Sequence, residues 1–175
     1  LFTGRTMGAI AAGAAHSAAL VASAEPPHEI ECFTWGHNAA GQLGHQLDGG
    51  SAHGSPRAVP ALSDLVDGGL SLLGPGERKS RAGPLACGVG HTALLSAKGA
   101  LVTWGANHYG QCGLHRIGST ILPAVVHSPS AEEVVMVACG AAHTMMLDAQ
   151  ARPRPRARPA RRSRRSPPPR APRAP

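Results

Sequence analysis

Three histidines, His16, His91 and His143, recur at one place in this 175-residue chain. Each follows a glycine by three residues (Gly13, Gly88, Gly140) and precedes Ser or Thr. Three imidazoles from three equivalent units are the raw material of a metal centre. Two of them also have a cysteine four residues earlier, Cys87 and Cys139, the residue types of a nucleophile–base pair. The spacing favours neither chemistry. Metal ligands would have to converge from separate units, with no acidic residue recurring beside the rings to orient them. In strand-and-turn sequence, an i, i+4 pair shares no helical face. Hydrogen bonding of a buried imidazole to neighbouring backbone explains the recurrence more simply. Cys32, Cys87, Cys112 and Cys139 contain no close C-x-x-C ligand pair, and are too sparse for a secreted disulfide framework. They read as small buried thiols in a reducing compartment. With no Ser/His/Asp arrangement and no Gly-x-x-x-x-Gly-Lys loop, the chain is expected to hold no catalytic, cofactor-binding or metal-binding residue.

The elements that carry these histidines repeat. Residues 10–20, 85–95 and 137–147 each read apolar-Ala-x-Gly-x-x-His-Ser/Thr followed by an apolar run. Between them, Thr34-Trp35-Gly36-His37-Asn38 leads to Gly41-Gln42-Leu43-Gly44, and Thr103-Trp104-Gly105-Ala106-Asn107 leads to Gly110-Gln111-Cys112-Gly113. The two patterns alternate, so they form one unit. Gly88 and Gly140 are 52 residues apart, whereas Gly13 and Gly88 are 75 apart. The excess falls near residues 24–29 and 48–84, where Gly, Ser, Pro and charge predict surface loops, with Asp48–Ser55 among them. Short apolar runs flank Ala97-Lys98-Gly99, a hairpin signal. Outer strands are expected to begin at Pro56 and Pro123. Asn38 and Asn107 suit turns in which the side chain bonds local backbone, and Gln42 and Gln111 are read as backbone-tying residues. Trp35 and Trp104 are read as the core anchors of Ala-rich units. About four short strands in about fifty residues describe a blade of a β-propeller.

These paired patterns resemble the regulator of chromosome condensation repeat. The resemblance covers most of residues 8–149 and implies a ring of seven four-stranded blades. Two Trp-Gly-x-Asn and three Gly-x-x-His units amount to two or three blades, an all-β incomplete ring with exposed edges. The chain also starts at Leu1 without an initiator Met; a piece of a larger protein, with further blades in the remainder, is expected. Met7–Val21 followed by Ala22-Ser23-Ala24 imitates a signal peptide, but its repeat match explains it better. By resemblance, two roles arise: a protein-interaction or scaffold module, and a guanine-nucleotide exchange factor for a Ran-type small GTPase. Exchange works by differential binding and requires no acid–base residues. A surface assembled from many blades is hard to build from so few, which favours the module.

Charge divides the chain. The net is +7, but Arg152–Pro175 holds ten Arg, eight Pro and no acid, which leaves residues 1–150 at −3. The body is therefore no basic nucleic-acid-binding domain. The 151–175 segment has too little apolar bulk to fold and is expected to be a disordered arm. Arg161, Arg162, Arg164 and Arg165 would contact nucleic-acid phosphates in a salt-sensitive way. The expected setting is intracellular, cytoplasmic or nuclear, without membrane contact.

Overall fold

A computed structural model describes residues 2–23, 29–46, 51–60, 62–66, 69–72, 83–126, 133–149 and 153–156. It contains three antiparallel sheets in sequence order. The first comprises β1 (Thr6–Ala12), β2 (His16–Ala22), β3 (Ile30–His37) and β4 (Ala52–Ala58). One turn of helix, α1 (Leu62–Leu65), follows. The second sheet comprises β5 (Leu85–Cys87), β6 (His91–Leu95), β7 (Leu101–Gly105) and β8 (Thr120–Val126). In the third, β10 (Thr144–Asp148) pairs with β9 (Val134–Cys139) on one side and with β11 (Pro153–Arg156) on the other. Each sheet is a meander in which neighbours in sequence are neighbours in space, the topology of a propeller blade.

The same register recurs. His16 pairs with Gly36 and Ser17 with Trp35 in the first blade, as His91 pairs with Gly105 and Thr92 with Trp104 in the second. A register shift beside Gly36 and Gly105 lets the fourth strand leave the third at the same point in both blades. Gly99 closes the β6–β7 hairpin at φ 76° and bonds back to the Ser96 carbonyl at 3.0 Å.

The core lies between blades. Ala18, Leu20 and Cys32 of the first blade pack with Leu85, Leu94, Val102 and Trp104 of the second. Ala93, Leu95 and Leu101 turn the other way and pack with Val137 and Met146 of the third. Because successive strand side chains point to opposite faces, β6 supplies both seams and is buried throughout. Small residues let the sheets approach: Ala14 N–H reaches Gly88 O at 3.3 Å, and Val89 N–H reaches Ala141 O at 3.4 Å.

Three segments differ from the sequence expectation. Ala52–Ser55, expected in a loop, are the first half of β4, and β8 likewise begins at Thr120 rather than Pro123. These edge strands are held by backbone pairing to β3 and β7, and mostly exposed β4 carries no apolar alternation to reveal it. Pro153–Arg156, given to the arm, pair with β10, Arg156 opposite Thr144 as Trp104 is opposite Thr92. Residues 24–28, most of the 48–84 insertion outside β4 and α1, and Arg161, Arg162, Arg164 and Arg165 lie outside the described residues.

Candidate functional site

The Gly-x-x-His turns and the Asn-x-x-Gly-Gln-x-Gly turns lie at the same end of the blades and together form one face. In each Asn turn the side chains bind backbone. Asn38 Oδ1 accepts from Leu43 N at 3.0 Å, and Asn107 Oδ1 accepts from Cys112 N at 2.9 Å. Gln42 Oε1 accepts from Ala40 N at 2.9 Å, and Gln111 Oε1 from Tyr109 N at 3.0 Å. From below, Thr34 donates to Leu43 O at 2.7 Å and Thr103 to Cys112 O at 2.8 Å. Gly41, Gly44, Gly110 and Gly113 take φ between 67° and 78°, where a Cβ is strained. The turn is thus fixed from three sides.

The histidines reach across the seams, not to their own backbone neighbours. His16 Nε2 lies 2.9 Å from Thr92 Oγ1, and His91 Nε2 lies 3.0 Å from Thr144 Oγ1. Thr92 in turn donates to Gln42 O at 2.8 Å, and Thr144 to Gln111 O at 2.7 Å. A hydroxyl has one proton, so once the threonine donates to the carbonyl its oxygen accepts from the imidazole. Nε2 therefore carries the proton, and the buried Nδ1 atoms of His16 and His91 have no hydrogen-bond partner. Burial, assisted by neighbouring histidines, holds both rings at a pKa of about 4, so they are neutral near pH 7. Gln42 O receives a second donor, Trp104 Nε1, at 2.8 Å.

The glycine of each Gly-x-x-His turn makes room for the ring. A Cβ on Gly13 would stand 2.6 Å from His16 Cε1 and collide with Gly88 O; one on Gly88 would collide with His91 Cε1, and one on Gly140 with His143 Cε1. His143 is exposed, and Trp35 is half-buried whereas Trp104 is fully buried. Rings committed to threonines do not converge as metal ligands, and among the described residues no group of three His, Cys, Asp or Glu could hold a metal ion. Burial raises the thiol pKa of Cys87 and Cys112 to about 12 and that of Cys139 to about 11, and it also raises Cys32. Thiols kept protonated this strongly are poor nucleophiles.

Above these supports lies a groove of about 480 Å³ spanning all three blades. Ala40 and Gln42 line one side, Val89 and Tyr109 the middle, and Ala141 and Ala142 the far side. Val89 is 53% exposed and Tyr109 68%. Sequence reading missed both, because they occupy variable places inside invariant-looking turns. A second concavity of about 650 Å³ lies between the outer strands, lined by Arg57, Asp64, Leu65, Leu122 and Pro123 among others. Among the described residues no helix is long and apolar enough to cross a membrane.

Comparison with known proteins fits this geometry. Residues 98–147 match the regulator of chromosome condensation (RCC1) repeat. The chain is 34% identical over 136 residues to the human probable E3 ubiquitin-protein ligase HERC3, covering 78% of this chain and 11% of that protein. It is 30% identical over 138 residues to mouse HERC4, again with 11% of that protein covered. The chain thus spans about a tenth of these relatives. Among solved structures, yeast RCC1 (Prp20) bound to Kap60 superposes with a TM-score of 0.60 at 21% identity, over 81% of this chain and 30% of that one. Human WBSCR16 gives 0.59 at 21% identity, over 83% and 32%. Repeated register, shared seams and these matches agree: the chain belongs to the RCC1-like β-propeller repeat family.

Proposed function

We propose that the chain is a protein-interaction module whose partner lies across the turn face. The observation that carries this reading is the groove around Val89 and Tyr109. It is exposed, partly apolar and built on turns that are tied to backbone, so a partner would meet a surface already ordered. Exposed aromatic side chains on a fixed base are the usual anchors of such contacts. The related yeast Prp20p is described by its binding to Gsp1p and histones, which supports a protein as the kind of partner. Four free thiols fit an intracellular setting, cytoplasmic or nuclear.

A photo-crosslinking residue at position 109 is expected to label a discrete partner in cells. The same residue at Ile121, on the outer edge, is not. Equal labelling from both positions would sink the reading. The exchange reading has its own assay. Acceleration of labelled-GDP release from a Ran-type GTPase at micromolar protein would support it; an unchanged rate would leave the module alone.

A further inference from the structure

We propose that residues 157–175 of this same chain occupy the turn-face groove, with Pro169, Pro172 and Pro175 against Tyr109 and Val89, and compete there with a partner protein. Such competition regulates the interaction surface proposed above and rests on that reading. The path of the chain leads there. Arg156, at the end of β11, stands opposite Thr144 as Trp104 stands opposite Thr92. Thr144 Oγ1 donates to Gln111 O at 2.7 Å, and Gln111 lines the groove. Ala141 and Ala142, just before Thr144, form its far side. The chain therefore leaves β11 at the turn face, beside the third-blade end of the groove. At the same point of the second blade, Gly105 leads into the turn that carries Tyr109.

Composition suits the groove. Residues 157–175 hold six Pro and seven Arg, and residues 169–175 read Pro-Arg-Ala-Pro-Arg-Ala-Pro, a repeat of three. A polyproline II helix has three residues per turn, so this repeat aligns prolines on one ridge, arginines on the second and alanines on the third. Helices of this kind dock their prolines in grooves lined by aromatic side chains. Tyr109 and Val89 offer that contact, 68% and 53% exposed, over small residues that include Ala40 and Ala106. Polyproline II carbonyls have no internal partner, and the tyrosine hydroxyl is a donor of the kind they accept from.

Reach and charge agree. At about 3.1 Å per residue, the 19 residues extend roughly 60 Å, whereas three sheets packed about 10 Å apart are crossed in about 20 Å. The −3 body attracts the +10 arm and keeps it near. Among the described residues no Asp, Glu, Lys or Arg lines the groove, so contact inside it belongs to the proline ridge and not to ion pairs. Tethering places the arm at about millimolar local concentration. A contact with a dissociation constant of about 1 mM is then about half filled. Half filling favours the folded state only about twofold, so removing the arm scarcely changes melting, yet the arm keeps about half of the molecules from a partner.

The test uses the full chain with a photo-crosslinking residue at position 89, which leaves Tyr109 in place. Irradiation of the purified protein should join position 89 to residues 157–175 of the same molecule, to an extent that does not change with protein concentration. A chain with Pro169→Ser, Pro172→Ser and Pro175→Ser keeps every arginine; it should lose most of that product while circular dichroism stays unchanged. No internal product, an equal yield from the serine chain, or a yield that rises with concentration, as for a second copy, would overturn the proposal. In cells, the serine chain should label a partner from position 89 about twofold more, since the free fraction doubles. Partner labelling equal in both chains overturns the competition alone. Internal cross-linking with no partner labelled by either chain sinks the interaction reading, and the competition with it.

Discussion

A threonine hydroxyl is the smallest part on which a seam depends. Thr92 accepts from His16, 76 residues away, and donates to Gln42 O. Thr92→Val keeps the shape and removes both bonds, leaving a buried imidazole N–H unsatisfied and Gln42 O with Trp104 Nε1 as its remaining donor. Urea unfolding should show a loss of about 1–3 kcal/mol, and Thr92→Ser should recover most of it. The histidines impose a pH dependence of definite sign. Their folded pKa of about 4 lies below the ordinary 6.5, so the fold favours the neutral ring. That stability is complete above about pH 6.5 and is lost as pH falls towards 4. Melting temperature should therefore drop from pH 7.5 to 4.5, with a shallower fall in His16→Gln. An unchanged slope would disprove the neutral assignment.

At the scale of the element, the turn glycines and the tryptophan decide whether a strand can enter a seam. Gly88→Ala places a Cβ against both His91 and Gly140 O, and should cost about 1–3 kcal/mol or more. Gly54→Ala, on open β4, meets nothing within 4 Å and should be nearly neutral. Trp104→Ala should cost about 3–5 kcal/mol. Trp35→Ala should cost clearly less, because its face is only partly covered. Equal losses at the two tryptophans, read from denaturant midpoints, would contradict their unequal burial. Both tryptophan strands were legible from Thr-Trp-Gly alone; their unequal burial was not, since it depends on what packs against each sheet.

For the whole molecule, the separation of a −3 body from a +10 end decides what salt can affect. Chains ending at Arg156 should lose salt-sensitive RNA binding in filter assays while keeping β11 and the melting temperature. Chains ending at Ala151 should lose the same binding and also melt lower, because β10 loses its partner strand. Salt-insensitive RNA binding by either truncated form would show that the body carries the contact. The boundary between body and arm was legible as a jump in composition, yet pairing extends beyond it. Proline and arginine carry no strand signal, and backbone hydrogen bonds to an open edge are indifferent to that.

The amino-acid sequence alone determined the unit: its four-strand plan, its positive-φ glycines and the Asn and Gln that tie each turn. All of these are local, set by residues within about ten positions of one another, so spacing displays them. Tertiary structure decided the rest. The histidines could be seen to recur, but their partners lie 76 and 53 residues away on the next blade. No short-range pattern encodes which hydroxyl a ring will meet once two sheets pack. The same packing turned two of the three apparent metal ligands, His16 and His91, into donors of hydrogen-bonded seams and left His143 exposed.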